Sequence, residues 1–239
     1  MNIVISQPMF LPWIGLFEQI KLSDVFVHYD DVRLPQGRSF ISRVQVKSAH
    51  GFSWLTAPID RNRSGDLINE SCLIEEQNWR DKHLQTLRHC YAKAPFFKTM
   101  YDLAYQIYSY PSGNLAEFNQ NAIELISLWL GLKRIFVRSS QLGIPGRSTQ
   151  RLVDICKRFK AKNYITGLGA LKYLEYEKFE RKKIDARYMN YRNRSYRQLH
   201  GEFTPYVTIL DPIAHCGKNT IDLICSDSIY WKDYIDESR

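Results

Sequence analysis

Paired cysteines are the first thing this sequence lacks. Its five cysteines, Cys72, Cys90, Cys156, Cys216 and Cys225, are odd in number and irregularly spaced, and no C-x-x-C occurs. That spacing gives no support to a zinc site or a thioredoxin-like centre, and it predicts reduced thiols in a cytoplasmic protein with no bound metal. No apolar window approaches the ~20 residues of a membrane-spanning helix. The opening residues lack the basic stretch and long apolar run of a secretory leader, so none is expected. Repeats, low-complexity tracts and Gly-, Ser- or Pro-rich linkers are also missing. The 239 residues therefore read as a single α/β domain spanning 1–239.

Acidic residues are in shorter supply than basic ones, 25 Asp and Glu against 33 Lys and Arg, for a net charge of +8. A basic balance favours anionic partners: sugar nucleotides, phosphates, RNA or a membrane surface. Denser runs occur at Arg181-Lys182-Lys183 and Tyr191-Arg192-Asn193-Arg194, where a solvated face is the bland alternative. No RNA-binding signature accompanies the charge. Aromatics are plentiful, with 15 Tyr and 5 Trp, so that some are expected to line a site as well as a core.

Apolar runs at Ile3–Ser6 and Val25–Tyr29, separated by helical periodicity over Pro12–Lys21, predict a β-α-β unit with parallel strands. Alternation over Ser39–Ile59, with a turn at His50-Gly51, predicts a hairpin in a β-rich insertion at about 39–75, followed by a short strand at Leu73-Ile74. Asn78 is placed to cap the helix WRDKHLQTLRHCYAKA; MYDLAYQIYSY and LAEFNQNAIELISLWLGL carry the same period. Ile135–Val137 reads as a strand, Ser148 as the cap of TQRLVDICKRFKA, and Asn163–Thr166 as another strand. Strands alternating with helices give the expected fold: an α/β, Rossmann-like parallel-sheet core with helices on both faces.

Strand-to-helix turns are where such folds bind ligands. In the first turn, Gln7-Pro8 precede Leu11-Pro12-Trp13-Ile14-Gly15; the helix start offers an anion site, Trp13 a stacking face, and Gly15 close backbone approach. The alternative is that Trp13 and Phe17, four apart, are core. This turn resembles the nucleotidylyltransferase branch of the HUP superfamily, where H-x-G-H opens the helix. Here Trp13-Ile14-Gly15-Leu16 keeps the glycine and has neither histidine.

A second small-residue turn, Thr166-Gly167-Leu168-Gly169-Ala170 before Leu171-Lys172-Tyr173, leaves room for phosphate or is an ordinary tight turn. It is neither a Walker motif nor a full G-x-G-x-x-G. Asp30-Asp31 end the second strand, where carboxylates hold a ribose or deprotonate an amine; pairing with Arg38 or Arg43 is the alternative. Trp79, His83 and Leu87 share a helix stripe beside Lys82, making His83 a general-base candidate against a core reading. His215-Cys216 is a further His/Cys pair, although adjacent residues rarely face one another.

Taken in order, these blocks resemble the WbqC-like family of bacterial proteins: Ile5-Ser6-Gln7-Pro8 with Leu11–Gly15; Asp24–Val27 with Asp30-Asp31-Val32; Trp54-Leu55-Thr56; Trp79 with Lys82-His83-Leu84; Tyr91 with Lys93-Ala94-Pro95; Arg151-Leu152; Tyr164 with Thr166-Gly167 and Gly169-Ala170; and Leu210-Asp211 with Gly217. Ser42 and Ala214-His215 depart from the Asn, and the Phe-Asn, that members often carry there. The resemblance implies surface-polysaccharide biosynthesis and transfer of an acyl or aminoacyl group to an amino sugar carried on a nucleotide. With it, the expected binding residues are Gln7, Pro8, Trp13, Gly15, Arg43, Lys82, Thr166, Gly167, Gly169 and Tyr173, with Asp30, Asp31 or His83 taking the proton. The donor, a CoA thioester or an aminoacyl-tRNA, and any cofactor stay open. An RNA-binding or assembly-subunit protein without catalysis, and nucleotidylyl transfer, are the alternatives.

Overall fold

A computed structural model describes residues 1–37 and 39–237. Arg38 lies outside the described residues, so its pairing with Asp30-Asp31 is not addressed.

The chain opens as the apolar runs require. β1 (Asn2–Ser6) leads through α1 (Ile14–Leu22) to β2 (Val25–His28), and β1 and β2 pair in parallel. Between β2 and the third parallel strand the chain makes a long excursion. It contains the antiparallel hairpin β3 (Arg43–Ser48) and β4 (Gly51–Thr56), then α2 (Trp79–Tyr91), α3 (Phe97–Tyr108) and α4 (Leu115–Trp129). β5 (Ile135–Arg138) rejoins the sheet beside β2. Then α5 (Ser148–Arg158) carries the chain back across to β6 (Asn163–Thr166), on the other side of β1. α6 (Tyr176–Glu180) and the parallel strand β7 (Asp185–Asn190) follow. α7 (Leu210–Cys216), α8 (Thr220–Leu223), the antiparallel edge strand β8 (Asp227–Tyr230) and α9 (Trp231–Glu237) complete the order.

The six-stranded order is β5-β2-β1-β6-β7-β8. Its parallel part, numbered by appearance in the chain, is the 3-2-1-4-5 order of a doubly wound sheet. Adjacent strands β1 and β6 hand the chain off in opposite directions, which makes the gap between their carboxyl ends the switch point.

Both faces of the sheet are covered, which is why its central strands read as continuous apolar runs. Val4 and Phe26 point into a core shared with α1 to α4, α7 and the hairpin. Ile3, Ile5, Val25 and Val27 point to the opposite core with α5, α6 and α9. The hairpin residues Val44, Val46 and Leu55 are buried in the first core, so the insertion packs as part of the main body.

Some local expectations change. Leu73 makes only an isolated bridge with Ile59 and no strand, because its backbone N–H goes to Gly113 O across the loop. Asn78 stands at the α2 cap position in a left-handed conformation, and its side chain makes no capping bond. Ser148 is the first residue of α5 rather than its cap. The small-residue stretch after β6 runs into a short 3-10 helix, Leu168–Lys172.

Candidate functional site

At the switch point lies a cleft of about 820 Å3. Its walls come from the carboxyl ends of β1 and β6, the residues following β2, and the start of α5. Six of the expected residues line it together: Gln7, Asp31, Thr166, Gly167, Gly169 and Tyr173. Gly169 faces open space, and Gly167 packs close to Gln19, where an added Cβ would come within 3.1 Å of the Gln19 amide.

Arginines dominate the charge. Arg33, Arg147 and Arg151 line the cleft against a single carboxylate, Asp31. Arg151 is buried; its Nε–H donates to Ile144 O at 2.9 Å, one Nη to Asp31 at 2.5 Å, and its guanidinium lies over the Tyr29 ring. Asp31 also accepts from Ser139 Oγ. Burial works to raise the Asp31 pKa, but the bonds from Arg151 and Ser139 outweigh it and hold the carboxyl below the usual carboxylate range. Asp31 is therefore a fixed anion that accepts hydrogen bonds and a weak base. Arg33 pairs with Asp66 at 3.3 Å on the exposed rim, where such a pair contributes little.

The 11-residue helix α5 opens on this cleft through Gly146, Arg147 and Ser148. No side chain caps it and no acidic residue sits in its first turn. Its free N–H groups and positive dipole end thus meet Arg147 and Arg151, an arrangement that the helix by itself disfavours and an anion would relieve. Sequence reasoning missed Arg147, Arg151 and Tyr29 as site residues. The available signal was two arginines at the start of an amphipathic helix, the wrong sign for the dipole.

The other expected residues lie elsewhere. Asp30 is buried: Gln120 Nε2, the Ser140 N–H and Ser140 Oγ donate to it, and Ser139 Oγ, whose proton goes to Asp31, lies 3.1 Å away. Asp30 fastens the end of β2 to the turn after β5 and to α4, and does not line the cleft. Pro8 is buried behind Gln7, its carbonyl accepting from Asn119.

His83 is enclosed by Phe10, Trp79 and Tyr108. Its Nε2 accepts from the Thr56 N–H at 3.2 Å, and its Nδ1 lies 3.0 Å from the Tyr108 hydroxyl. Burial pushes its pKa down to about 4. Geometry acts in the same direction, since a proton on Nε2 would face the Thr56 N–H. His83 thus lies outside the cleft and ties α2 to the hairpin and to α3. Lys82 beside it points to solvent.

Arg43 lies over the Trp54 ring, 3.4 Å from its centroid, on the hairpin and outside the cleft. No residue of Trp13-Ile14-Gly15-Leu16 lines the cleft either. Trp13 instead leans over the first turn of its own helix, beside Tyr191 and Tyr206. Gly15 makes room for it: a Cβ there would sit 2.2 Å from the indole ring. The α1 start is thus closed by this chain's own aromatics. His215 Nε2 accepts from the Leu199 N–H and its Nδ1 lies against Asp211, away from Cys216 chemistry and from the cleft.

Among the described residues no group of three or more His, Cys, Asp or Glu is placed to hold a metal, and no helix is long and apolar enough to cross a membrane. All five cysteines are unpaired.

The model of the WbqC-like protein family matches residues 7–223. The chain belongs to that family. The matched span contains nearly all of the cleft, from Gln7 to Tyr173, together with the whole insertion. An uncharacterized protein of Mycobacterium tuberculosis, Rv1507c, is 29% identical over 226 residues, covering 93% of this chain and 97% of that protein. No solved structure matches the chain. For this WbqC-like protein the site must therefore be read from its own geometry.

Proposed function

We propose that this WbqC-like protein is a transferase that acylates or aminoacylates an amino sugar carried on a nucleotide, in bacterial surface-polysaccharide biosynthesis. The observation that carries the proposal is the uncapped start of α5, with Arg147 and Arg151, opening into the switch-point cleft. That constellation suits a pyrophosphate, and about 820 Å3 lies within the usual range for small-molecule sites. Arg147 and the first N–H groups of α5 hold the phosphates. Gly169 leaves the rim open to them, Tyr29 and Tyr173 offer flat faces to base or sugar, and Gln7 and Thr166 supply hydrogen bonds.

Neither cysteine nor histidine lines the cleft, so the chemistry proposed is direct transfer. The amine nitrogen attacks the donor carbonyl, a C–N bond forms, and the thioester C–S or ester C–O bond breaks. The thiol or hydroxyl leaves with the proton that the amine gives up. Asp31 accepts a hydrogen bond from the amine and orients it; holding both reactants in one cleft supplies the rest.

RNA binding is the second reading, favoured by the net charge of +8 and by the arginines of the cleft; it merges with the first if the donor is an aminoacyl-tRNA. Nucleotidylyl transfer is not favoured, because the turn that resembles those enzymes has neither histidine and does not line the cleft.

Thermal-shift titration with nucleotides, amino-sugar nucleotides and CoA thioesters tests the proposal. A ligand at ~100 times its dissociation constant adds roughly 2.7 kcal/mol, a rise of about 5–11 °C for a chain of this size. An amino-sugar nucleotide is expected to give that rise, and Arg147→Ala to abolish it. Salt-sensitive retention on RNA with no response to any nucleotide would overturn the enzyme reading.

A further inference from the structure

A second cavity adjoins the cleft. It encloses about 230 Å3 and is walled almost wholly by apolar side chains. Phe10 and Val44, both buried, form its floor, and Pro12 and Trp13 one wall. Phe40 and Tyr206 stand at its mouth, 56% and 64% exposed. Met9 lines both this cavity and the basic cleft.

We infer that this cavity receives the apolar acyl group, or apolar aminoacyl side chain, of the donor, with the carbonyl lying at Met9 and the amine arriving from the cleft. The inference rests on the transferase reading above and adds the donor's chemistry. A concave, almost wholly apolar pocket beside a polar cleft is the kind of surface that small ligands bury their apolar parts in. An apolar cavity of ~150 Å3 takes up benzene, so a benzyl or branched alkyl group fits here. A nucleobase is excluded because its polar edge would lose its hydrogen bonds against these walls. Met9, unbranched and adaptable, suits a boundary that different chains must pass.

The walls are held in place by the opening motif of the sequence. Gly15 lets the Trp13 indole lie across α1. Trp13 bridges to Thr208, and the Ile209 N–H donates to Pro12 O. The Phe10 N–H donates to Phe40 O, tying mouth to floor. The proline, tryptophan and glycine of this turn thus build an apolar pocket beside the phosphate site.

The test is a tryptophan-fluorescence titration of the full chain with acetate, hexanoate and phenylacetate, with and without a saturating amino-sugar nucleotide. Each buried methylene is worth about fourfold in affinity, so hexanoate and phenylacetate are expected to bind at least tenfold more tightly than acetate. Phe40→Glu, a change at the exposed mouth, is expected to remove that preference, and Phe40→Leu to keep it. Equal affinities for all three acids would overturn the inference, as would displacement of hexanoate by the nucleotide. A dimer that Phe40→Glu dissolves, in a protein that binds no hexanoate, would make a second copy the occupant and also overturn it. Failure of the transferase reading shows separately, as a missing nucleotide shift while the long acids still bind.

Discussion

Replacing His83 by glutamine separates a structural histidine from a catalytic one. Its folded pKa of about 4 lies below the unfolded value near 6.5. Between those values the unfolded chain binds more protons, so the stability it contributes is complete above about pH 6.5 and is lost as pH falls toward 4. Integrating the linkage from pH 8 to pH 5 gives a loss of about 2 kcal/mol from this one ring. With a urea slope of about 2 kcal/mol/M, the midpoint drops by about 1 M relative to a chain that lacks the ring. His83→Gln leaves an acceptor for the Thr56 N–H and a donor toward Tyr108. Its own cost at pH 8 is expected at about 1–2 kcal/mol, from lost packing against Phe10 and Trp79. Urea melts of both proteins at pH 8, 6.5 and 5 are the assay, and the wild-type advantage is expected to fall by about 2 kcal/mol on acidification, so that it vanishes or reverses at pH 5. Parallel melts across that range would refute the buried, doubly bonded ring. A variant that is stable at pH 8 and loses the activity proposed above would place His83 in the chemistry.

Two further perturbations probe the cleft and its neighbour. Arg151→Met strands Asp31, which is only 20% exposed, and is expected to cost about 2–3 kcal/mol at pH 7, below the figure for a fully buried pair. Because the Asp31 pKa is lowered in the folded state, the pair's contribution is present above about pH 4 and lost below it. The deficit should therefore narrow in melts near pH 3 and persist at pH 7; a deficit independent of pH would count against the pair. Gly15→Ala drives a methyl into the Trp13 ring, with an expected cost of about 1–3 kcal/mol and a change in tryptophan emission. Unchanged emission and stability would mean that the indole does not lie there.

Much of the scaffold was legible because its signals are local. The runs Ile3–Ile5 and Val25–Val27 are apolar throughout since both faces of their strands are covered, and that pattern announces a parallel sheet. The hairpin showed through its alternation and turn, and the helices after Asn78 through their period. The last third was less legible: β7 contains Asp185, Arg187 and Asn190, and β8 is a half-exposed edge strand, so neither looks like a buried run.

The site divides in the same way. Gln7, Asp31, Thr166, Gly167 and Gly169 sit at strand ends, and strand ends could be found one at a time along the chain. What pairs with them could not. Arg151 reaches Asp31 from 120 positions away because α5 crosses the sheet to the far side of β1. His83 and Asp30 look alike as titratable letters, and only the folded chain shows the packed neighbours that take up their nitrogens and oxygens. The sequence by itself determined the alternation of strands and helices and the family, since both are written in short-range order. Tertiary structure alone decided which helix start stays open to an anion and which is closed by its own tryptophan, because burial and long-range hydrogen bonds exist only once the chain is folded.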